Sequence, residues 1–362
     1  MVGGGPSGAC AAHYLASDGI DVVRLEREIL PRYKLCGGGL VCRVLQFLPT
    51  DAGTAVERQC AVAEVNLLPH GYHLVARRHE PALSMTMRAR FDWISVDSAR
   101  LAGARIVFPC EVLGISRCTD EARLDNTAGS LYARFVIAAD GAAGRLARFA
   151  GFRDKRIMAP ALEWDVIVPP RILGRFSRMA RFDIGAVSNG YGWVFPKREH
   201  LSVGVGVLQS PCFGRRTLKQ TLQHYLAAGG VAPVLSAQKH GYVIPLTPRE
   251  APLGRQRMLR VGDAAGLADP LTGEGIANAV ISGRLAGESP VTGALHPDSV
   301  MAHYQDHIAG MILRELRAGL PLARLLYGTS GLAAPLFKYH GARTERVVDI
   351  FMEERGYAKG FG

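Results

Sequence analysis

Hydrophobic and polar positions fall along the chain in two textures: small-residue helical stretches between apolar strands, and longer runs of alternating strand-like residues. Val2 is the stub of a first strand. Residues 7–17 follow a helical period with small residues on one side (Gly8, Ala11, Ala12), and residues 21–25 are apolar and β-branched. That order reads as a βαβ start with parallel strands. A long Gly-rich loop is expected over residues 28–41. Residues 60–90 read as short antiparallel strands separated by turn residues. A helix is expected over residues 91–101, turning Phe91, Ile94, Ala99 and Leu101 mainly toward a core. Residues 112–115 and 135–138 read as further strands. Residues 160–208 read as a larger β region, interrupted at Pro169-Pro170 and Asn189-Gly190. The pattern then returns to a buried strand at residues 257–261 and a small-residue helix at 275–287. From about Asp298 it is mostly helical. Neither an internal repeat nor a low-complexity segment is visible.

Composition narrows the class. The chain has 362 residues, 48% of them apolar, enough for two domains or one large discontinuous one. A net charge of +11 favours anionic partners such as phosphates or acidic lipid surfaces. Lys and Arg form no compact run and no nucleic-acid motif appears, so nucleic acid is not expected as a partner. The seven cysteines include no CxxC pair, which argues against zinc or iron–sulfur sites, and no metal is expected. Their odd count and wide spacing suit reduced thiols in a cytoplasmic protein. No apolar run is long enough to span a bilayer. No feature bears on oligomeric state.

Three glycine-rich segments carry the chemistry. The first, Gly3-Gly4-Gly5-Pro6-Ser7-Gly8, fits G-x-G-x-x-G. Gly3 permits the tight turn and Gly5 lets the backbone approach a pyrophosphate. Gly8 lets helix and strand pack closely, and Ser7 opens the helix whose N-terminus faces the phosphate. Glu26, eighteen residues after Gly8 and followed by Arg27, ends the second strand where a carboxylate can accept from ribose hydroxyls. Only Met1 and Val2 precede this motif, although such turns normally follow a buried strand of about five residues. Upstream residues of strand one are therefore expected.

The second segment runs from Val261 through Gly262, Asp263, Gly273 and Gly275 to Ile276. A strand ending at Asp263 suits the ribityl hydroxyls of a flavin. The helix that follows suits flavin N1 and the C2 carbonyl, where its positive end would stabilise an anionic reduced ring. The third segment, around Asp140-Gly141, again places a carboxylate between an apolar strand and a helix, although alone it is a common turn.

These segments, in this order, resemble flavoproteins of the p-hydroxybenzoate-hydroxylase-type FAD fold. Two further stretches resemble the geranylgeranyl reductase family: Pro31-Arg32-Tyr33-Lys34-Leu35-Cys36-Gly37-Gly38-Gly39-Leu40, like its Cys-Gly-Gly loop, and Tyr191-Gly192-Trp193-Val194-Phe195-Pro196-Lys197, like its Tyr-x-Trp-x-Phe-Pro segment. Val203-Gly204-Val205-Gly206 follows as that family's usual strand, and Phe91-Asp92 also fits. The resemblance spans about residues 1–290 and is loose beyond. It implies an α/β fold: a Rossmann-like FAD-binding domain (residues 1–58, 91–155 and 250–292), an inserted antiparallel β-sheet substrate domain (59–90 and 156–249) and a C-terminal helical region (293–362). It also implies FAD-dependent saturation of double bonds in a geranylgeranyl or polyprenyl chain. Cys36, Gly37 and Gly38 would then lie near the isoalloxazine, and Tyr191 and Trp193 in the lipid pocket. Alternation alone puts Tyr191, Trp193 and Phe195 on one strand face, which suits an apolar cavity or a plain core.

Reduction of an unconjugated alkene needs a proton as well as a hydride, in a dry site. Cys36 and Tyr191 are candidate acids, but an unperturbed thiol or phenol is weak near neutral pH. A water or the flavin itself is equally open. The electron donor is open between NAD(P)H and a ferredoxin-like carrier, since no second dinucleotide fingerprint appears. A competing reading is an FAD-dependent monooxygenase acting on an aromatic or quinone-like substrate; another is a non-catalytic remnant lacking strand one. A polyprenyl substrate, with Arg314, Arg317, Arg324 and Lys338 among the apolar stretches 320–326 and 332–337, leads to an expectation of peripheral membrane contact.

Overall fold

The structure, a computed structural model, describes residues 1–48, 52–118, 120–153, 157–209, 217–246, 252–255, 257–328, 348–352 and 357. Its first sheet is built around the stub that opens the chain. Val2 bridges in parallel to Leu25 on one side and Ala138 on the other. The Gly3 N–H donates to Leu25 O at 2.9 Å and the Ala139 N–H to Val2 O at 2.8 Å. Val23–Leu25 pairs outward in parallel with Arg105–Val107, and Val136–Ala138 with Met258–Arg260, which continues antiparallel to Gly254–Arg255. Both faces of the sheet are covered, and its strands are apolar except for one arginine in each of four, of which Arg24 and Arg260 are fully buried. One face packs Ala11, Leu15, Ile137, Val261 and Ile281. The other packs Val2, Leu25, Val112, Leu124 and Leu146 beneath a three-stranded antiparallel sheet (Val112–Arg117, Ala122–Asn126, Gly129–Ala133).

The helix Pro6–Ser17 lies against Ile276–Thr292 at unusually short range. A Cβ on Gly283 would sit 2.3 Å from Ser7 O, and one on Gly287 would sit 3.0 Å from Ala11 O. The small residues read in both segments are therefore contact surfaces for backbone. On the other flank, Arg88–Leu101 buries Phe91, Ser95, Val96 and Ala99. Leu101, expected to face the core, is 73% exposed. At 100° per residue it falls off the arc set by 91, 95 and 99, and apolar type alone misassigned it.

A second, seven-stranded sheet runs in the order Ser236–Pro245, Met158–Ile167, Leu201–Val207, Gly190–Pro196, Met179–Ile184, Val62–Leu67, Tyr72–Arg77. It is antiparallel apart from one parallel pair, Met179–Ile184 with Val62–Leu67. Its back packs Trp164, Val166, Val203 and Val205 against the helices Pro170–Phe176 and Leu218–Ala228. Pro169-Pro170 thus opens a helix, with proline at the first helical positions where its missing N–H costs nothing. The front carries Ala161, Phe182, Tyr191, Trp193 and Phe195 toward the cavity described below. A small antiparallel sheet, Gly39–Val41 with Leu83–Thr86 and Val56–Cys60, carries the end of the Cys36 loop. Helices Pro297–Ile308 and Arg314–Ala323 follow, joined by a π-helical turn at Ala309–Leu313. No helix among the described residues is long and apolar enough to cross a membrane.

The Gly283 contact generates a direct expectation. Gly283→Val should cost about 1–3 kcal/mol, the usual range for forcing bulk into a packed interface. A urea melt would read this as a lower midpoint with an unchanged slope.

Candidate active site

The glycine turn between Val2 and the first helix is shaped by what its positions exclude. A side chain at Gly3 would strike Ala139 O at 2.1 Å, and φ there is +116°. One at Gly4 would meet the Glu26 carboxylate at 2.0 Å, and one at Gly8 would meet Gly3 O at 2.4 Å. Gly5 differs: the nearest group to its Cβ position is Arg88 Nη2 at 3.9 Å. Its missing side chain opens onto a cavity. No side chain caps the helix start at Gly5, nor at Gly275 before Ile276–Thr292. At the second helix the Glu274 carboxylate takes the Ala277 N–H at 2.7 Å, and both helix N-termini present a positive dipole end.

One cavity gathers Gly5, Ser7, Cys36, Gly37, Gly38, Tyr191, Trp193, Asp263, Gly273, Gly275 and Ile276 in its lining. A second holds Gly3, Glu26, Arg27 and Asp140. Gly5, Lys34, Ala139, Gly141 and Tyr242 line both, so the two are continuous. Gly8 and Gly262 stand behind the lining. Gly262, with φ +53°, leaves 2.9 Å between its Cβ position and the Ser7 hydroxyl, locking the two glycine segments together.

The polar groups have defined partners. Glu26, 5% exposed, accepts from the Glu28 N–H at 2.9 Å. Arg27 is largely exposed and pairs with Glu28 at 3.3 Å. Asp140 accepts from the Leu146 N–H at 2.8 Å, and Gly144 leaves room for its carboxylate. Asp263 faces Lys34 Nζ at 3.8 Å, with about a fifth of each side chain exposed. Open space of this kind, with a cradle a Cβ would fill, two helix N-termini at its lining and carboxylates at Glu26 and Asp263, fits a flavin dinucleotide.

Beyond the flavin end the lining turns aromatic. Phe182 packs on Phe195 and Phe351 at ring distances of 5.2 and 5.3 Å, and Tyr191 on Trp193 at 5.8 Å. The Tyr191 hydroxyl donates to Thr272 O, tying the sheet to the second glycine segment. Burial pushes its phenol well above the ordinary value, with Asp269 adding to the effect. The Cys36 thiol is partly exposed and accepts from the Gly38 N–H at 3.4 Å.

Four residues escaped the sequence reading. Arg88 is fully buried and held bidentately by Asp92 (2.8 and 3.0 Å), one helical turn on. That i,i+4 pair was the available signal. Lys197, also fully buried, donates to Gly37 O at 2.6 Å and Thr86 O at 3.0 Å, pinning the Cys36 loop. Glu163, 1% exposed, accepts from Trp193 Nε1 at 3.0 Å. Glu163 and Trp193 are each in register with Gly204 on the strand between them. A Cβ at Gly204 would lie 2.1 Å from the Trp193 ring, so its absence lets the indole cross the strand. Phe351 joins the lining from a C-terminal segment where only a loose likeness was read.

Gly5→Val tests the cradle. The fold has room for the new side chain, but a pyrophosphate on the helix N-terminus does not. The variant should remain folded and bind FAD about 100-fold more weakly, ~2.7 kcal/mol. Absorbance of the purified protein and an FAD titration would show it, and full flavin content would refute the assignment.

The FAD binding domain family matches residues 1–171. A digeranylgeranylglycerophospholipid reductase of Methanopyrus kandleri is 32% identical over 335 residues, 84% of each chain. The chloroplastic geranylgeranyl diphosphate reductase of Oryza sativa is 30% identical over 81% of this chain and 66% of its own. Among solved structures, a geranylgeranyl bacteriochlorophyll reductase-like protein of Thermoplasma acidophilum superposes with a TM-score of 0.78 at 23% identity, over 99% of this chain and 92% of that one. That likeness shows the fold, and the sequence relationship over four-fifths of the chain goes further. With the glycine turns, the Cys36 loop and the Tyr191 strand around one cavity, this chain belongs to the geranylgeranyl reductase family of FAD-dependent oxidoreductases.

Proposed function

We propose that this protein saturates double bonds of a geranylgeranyl or longer polyprenyl chain, whose headgroup is a lipid, diphosphate, tetrapyrrole or quinone. The observation that carries the reading is the continuity of one cavity. At one end are the glycine turn, Asp263 and the helix start at Ile276; at the other are Phe182, Tyr191, Trp193, Phe195 and Phe351. Such a lining suits an apolar chain laid against a flavin edge. Among the described residues, the Lys and Arg side chains in that lining are Arg88, engaged bidentately by Asp92, and Lys34, which faces Asp263 at 3.8 Å. A compact aromatic acid would want such a cation for itself, which favours the reductase reading over a hydroxylase.

Bound FAD supplies the hydride, and the chain supplies everything else. The Gly3–Gly8 turn and the first helix hold the pyrophosphate, and Glu26 the adenosine ribose. Asp263 with Lys34 holds the ribityl hydroxyls. Cys36, Gly37 and Gly38 form the loop against the ring, kept in place by Lys197. The aromatic wall excludes water and fixes the alkene. On this reading residues 1–58, 91–155 and 250–292 make the FAD-binding unit, 59–90 and 156–249 the substrate unit, and 293–362 the closing helical region.

With FAD reduced chemically under anaerobic conditions, adding a geranylgeranyl compound should reoxidise it. The product should gain two hydrogens per turnover and no oxygen, as read by mass spectrometry. Trp193→Ala should lower the rate by about tenfold or more while FAD stays bound, since misplacing a reactant is costly. Oxygen-dependent hydroxylation of a small aromatic, with no anaerobic turnover, would overturn the proposal.

Peripheral membrane contact is part of the same reading. Arg314, Arg317 and Arg324 are exposed along one side of the C-terminal helices, whereas Leu326 is buried and Leu320, Leu322 and Leu325 are half-buried. The support is therefore the basic face, with the leucines turned inward; residues 332–338 lie outside the described residues. Anionic liposomes should float the protein at low salt and release it at high salt. Protein that stays at the bottom at low salt would refute membrane contact.

A further inference from the structure

Saturating an alkene makes two C–H bonds, and the proton for the second needs a source. Both candidates read from the sequence, Tyr191 and Cys36, line the cavity. The Tyr191 proton is committed to Thr272 O, and burial makes its phenol a still weaker acid. Cys36 accepts a backbone hydrogen bond on a loop edge. A third group lies in the same lining, on the strand beside the aromatic wall.

That group is Glu163, on the strand Met158–Ile167, whose front face also contributes Ala161 to the cavity. It is 1% exposed, and Trp193 Nε1, itself part of the wall, reaches over Gly204 to hold one carboxyl oxygen. The register is specific: Glu163, Gly204 and Trp193 are consecutive partners across three strands. Any side chain at 204 would push the indole away. Burying a carboxyl in an apolar wall is costly unless it is hydrogen-bonded, as it is to Trp193 here, and a buried titratable group lining a cavity is a candidate for function.

We propose that Glu163 is the acid of the reaction, giving its carboxyl proton to the alkene carbon that does not receive the hydride. The inference rests on the polyprenyl reductase reading above. In the balanced step the C=C π bond breaks and one carbon takes hydride from reduced FAD, which is oxidised by two electrons. The other carbon takes the Glu163 proton, and the carboxylate left behind recovers a proton from solvent. Asp165, two residues on, accepts from the Tyr33 hydroxyl at 3.0 Å, and Tyr33 is 43% exposed, so this edge of the wall reaches water.

The surroundings keep the acid loaded near neutrality. Burial, then the charge of Asp165 on the same strand, push the Glu163 carboxyl up to about 7. Lys197, Ser202 and Trp193 pull the other way and set the ceiling. His240 and Gly204 are its register partners on the flanking strands. Tyr242, Lys34, Cys36 and Arg88 are the remaining titratable or charged groups that share the lining nearby, with His200 3.5 Å from Asp165. Below about 7 the carboxyl holds a proton to give; above it the proton is lost.

The test uses the full chain loaded with FAD, reduced anaerobically and mixed with geranylgeranyl diphosphate across the neutral range. Wild-type reoxidation should slow as pH rises through about 7. Glu163→Gln should lose about 100-fold, the lower range for a general acid, and lose that pH limb. Glu163→Asp should keep the limb at reduced rate, and it stands in for the glutamine variant should that one not retain FAD. Independently of turnover, infrared titration of the FAD-loaded protein should show a carboxyl C=O band vanishing over the same pH range in wild type and missing in Glu163→Gln. Wild-type turnover with a glutamine or aspartate variant of unchanged rate and pH profile would overturn the role of Glu163 alone. So would a wild-type carboxyl band that titrates only in the ordinary carboxylate range. Failure of the wild type to reoxidise with any polyprenyl compound would instead overturn the functional reading, and the acid with it.

Discussion

The cavity exists because two helices distant in sequence approach backbone to backbone. Gly283 and Gly287 of the late helix lie against Ser7 and Ala11 of the first, at distances that admit no Cβ. Close packing fixes where each helix begins, and each begins at a glycine that lines the same cavity. Two positive helix ends thus converge on one site, and a dinucleotide with phosphates at one end and an electron-accepting ring at the other can use both. The Gly262 contact with Ser7 is the same constraint at the strand end. A larger residue at any of these positions would separate the two halves of the cradle before it touched a ligand.

The substrate side follows a similar logic with a different purpose. Its sheet is apolar on the back, where the helices Pro170–Phe176 and Leu218–Ala228 cover it, so the front is free to face a ligand. Glycine on the central strand gives the large rings somewhere to lie. Trp193 spreads over Gly204, and Gly206 leaves 3.6 Å beneath the same indole. The rings form one aromatic wall, and the indole N–H reaches Glu163 beside it. Tyr191 bridges from this wall to Thr272, and Tyr327 does the same to Leu271, so the second glycine segment is held from the sheet and from the C-terminal helices together.

Much of this was legible in the chain, and the rest was hidden for physical reasons. The helices from Ser7 and from Gly275 and the strand face of Tyr191, Trp193 and Phe195 follow from local spacing. Val2 pairs in parallel on both sides, because its neighbours Val23–Leu25 and Val136–Ala138 are each held in place by a further strand. Leu101 was misread because apolar type was weighed over helical phase. Glu163 and Lys197 were invisible because each looks like an ordinary surface charge next to a strand. What buries them is contact with residues distant in sequence, Trp193 and Gly204 for Glu163 and Gly37 and Thr86 for Lys197, which no local pattern encodes. Phe351 was missed for the same reason: its part in the wall depends on the long return of the C-terminal segment.

Two buried charges on one wall then divide the work. Lys197 has two carbonyl partners, Gly37 O and Thr86 O, and its ammonium is consumed in holding the Cys36 loop. Burial pushes that ammonium below its ordinary value, while Glu163 is the leading influence pulling it back up. The coupling is mutual: Lys197 lowers the Glu163 carboxyl against the larger effect of burial. A neutral carboxyl is the cheaper state in an empty apolar wall, and a carboxylate becomes tolerable only because a fixed cation stands behind it. Proton release from Glu163 is thereby supported at the moment it occurs, without any rearrangement of the wall. An apolar pocket alone would hold an alkene; the lysine behind it makes it a place where a proton can leave.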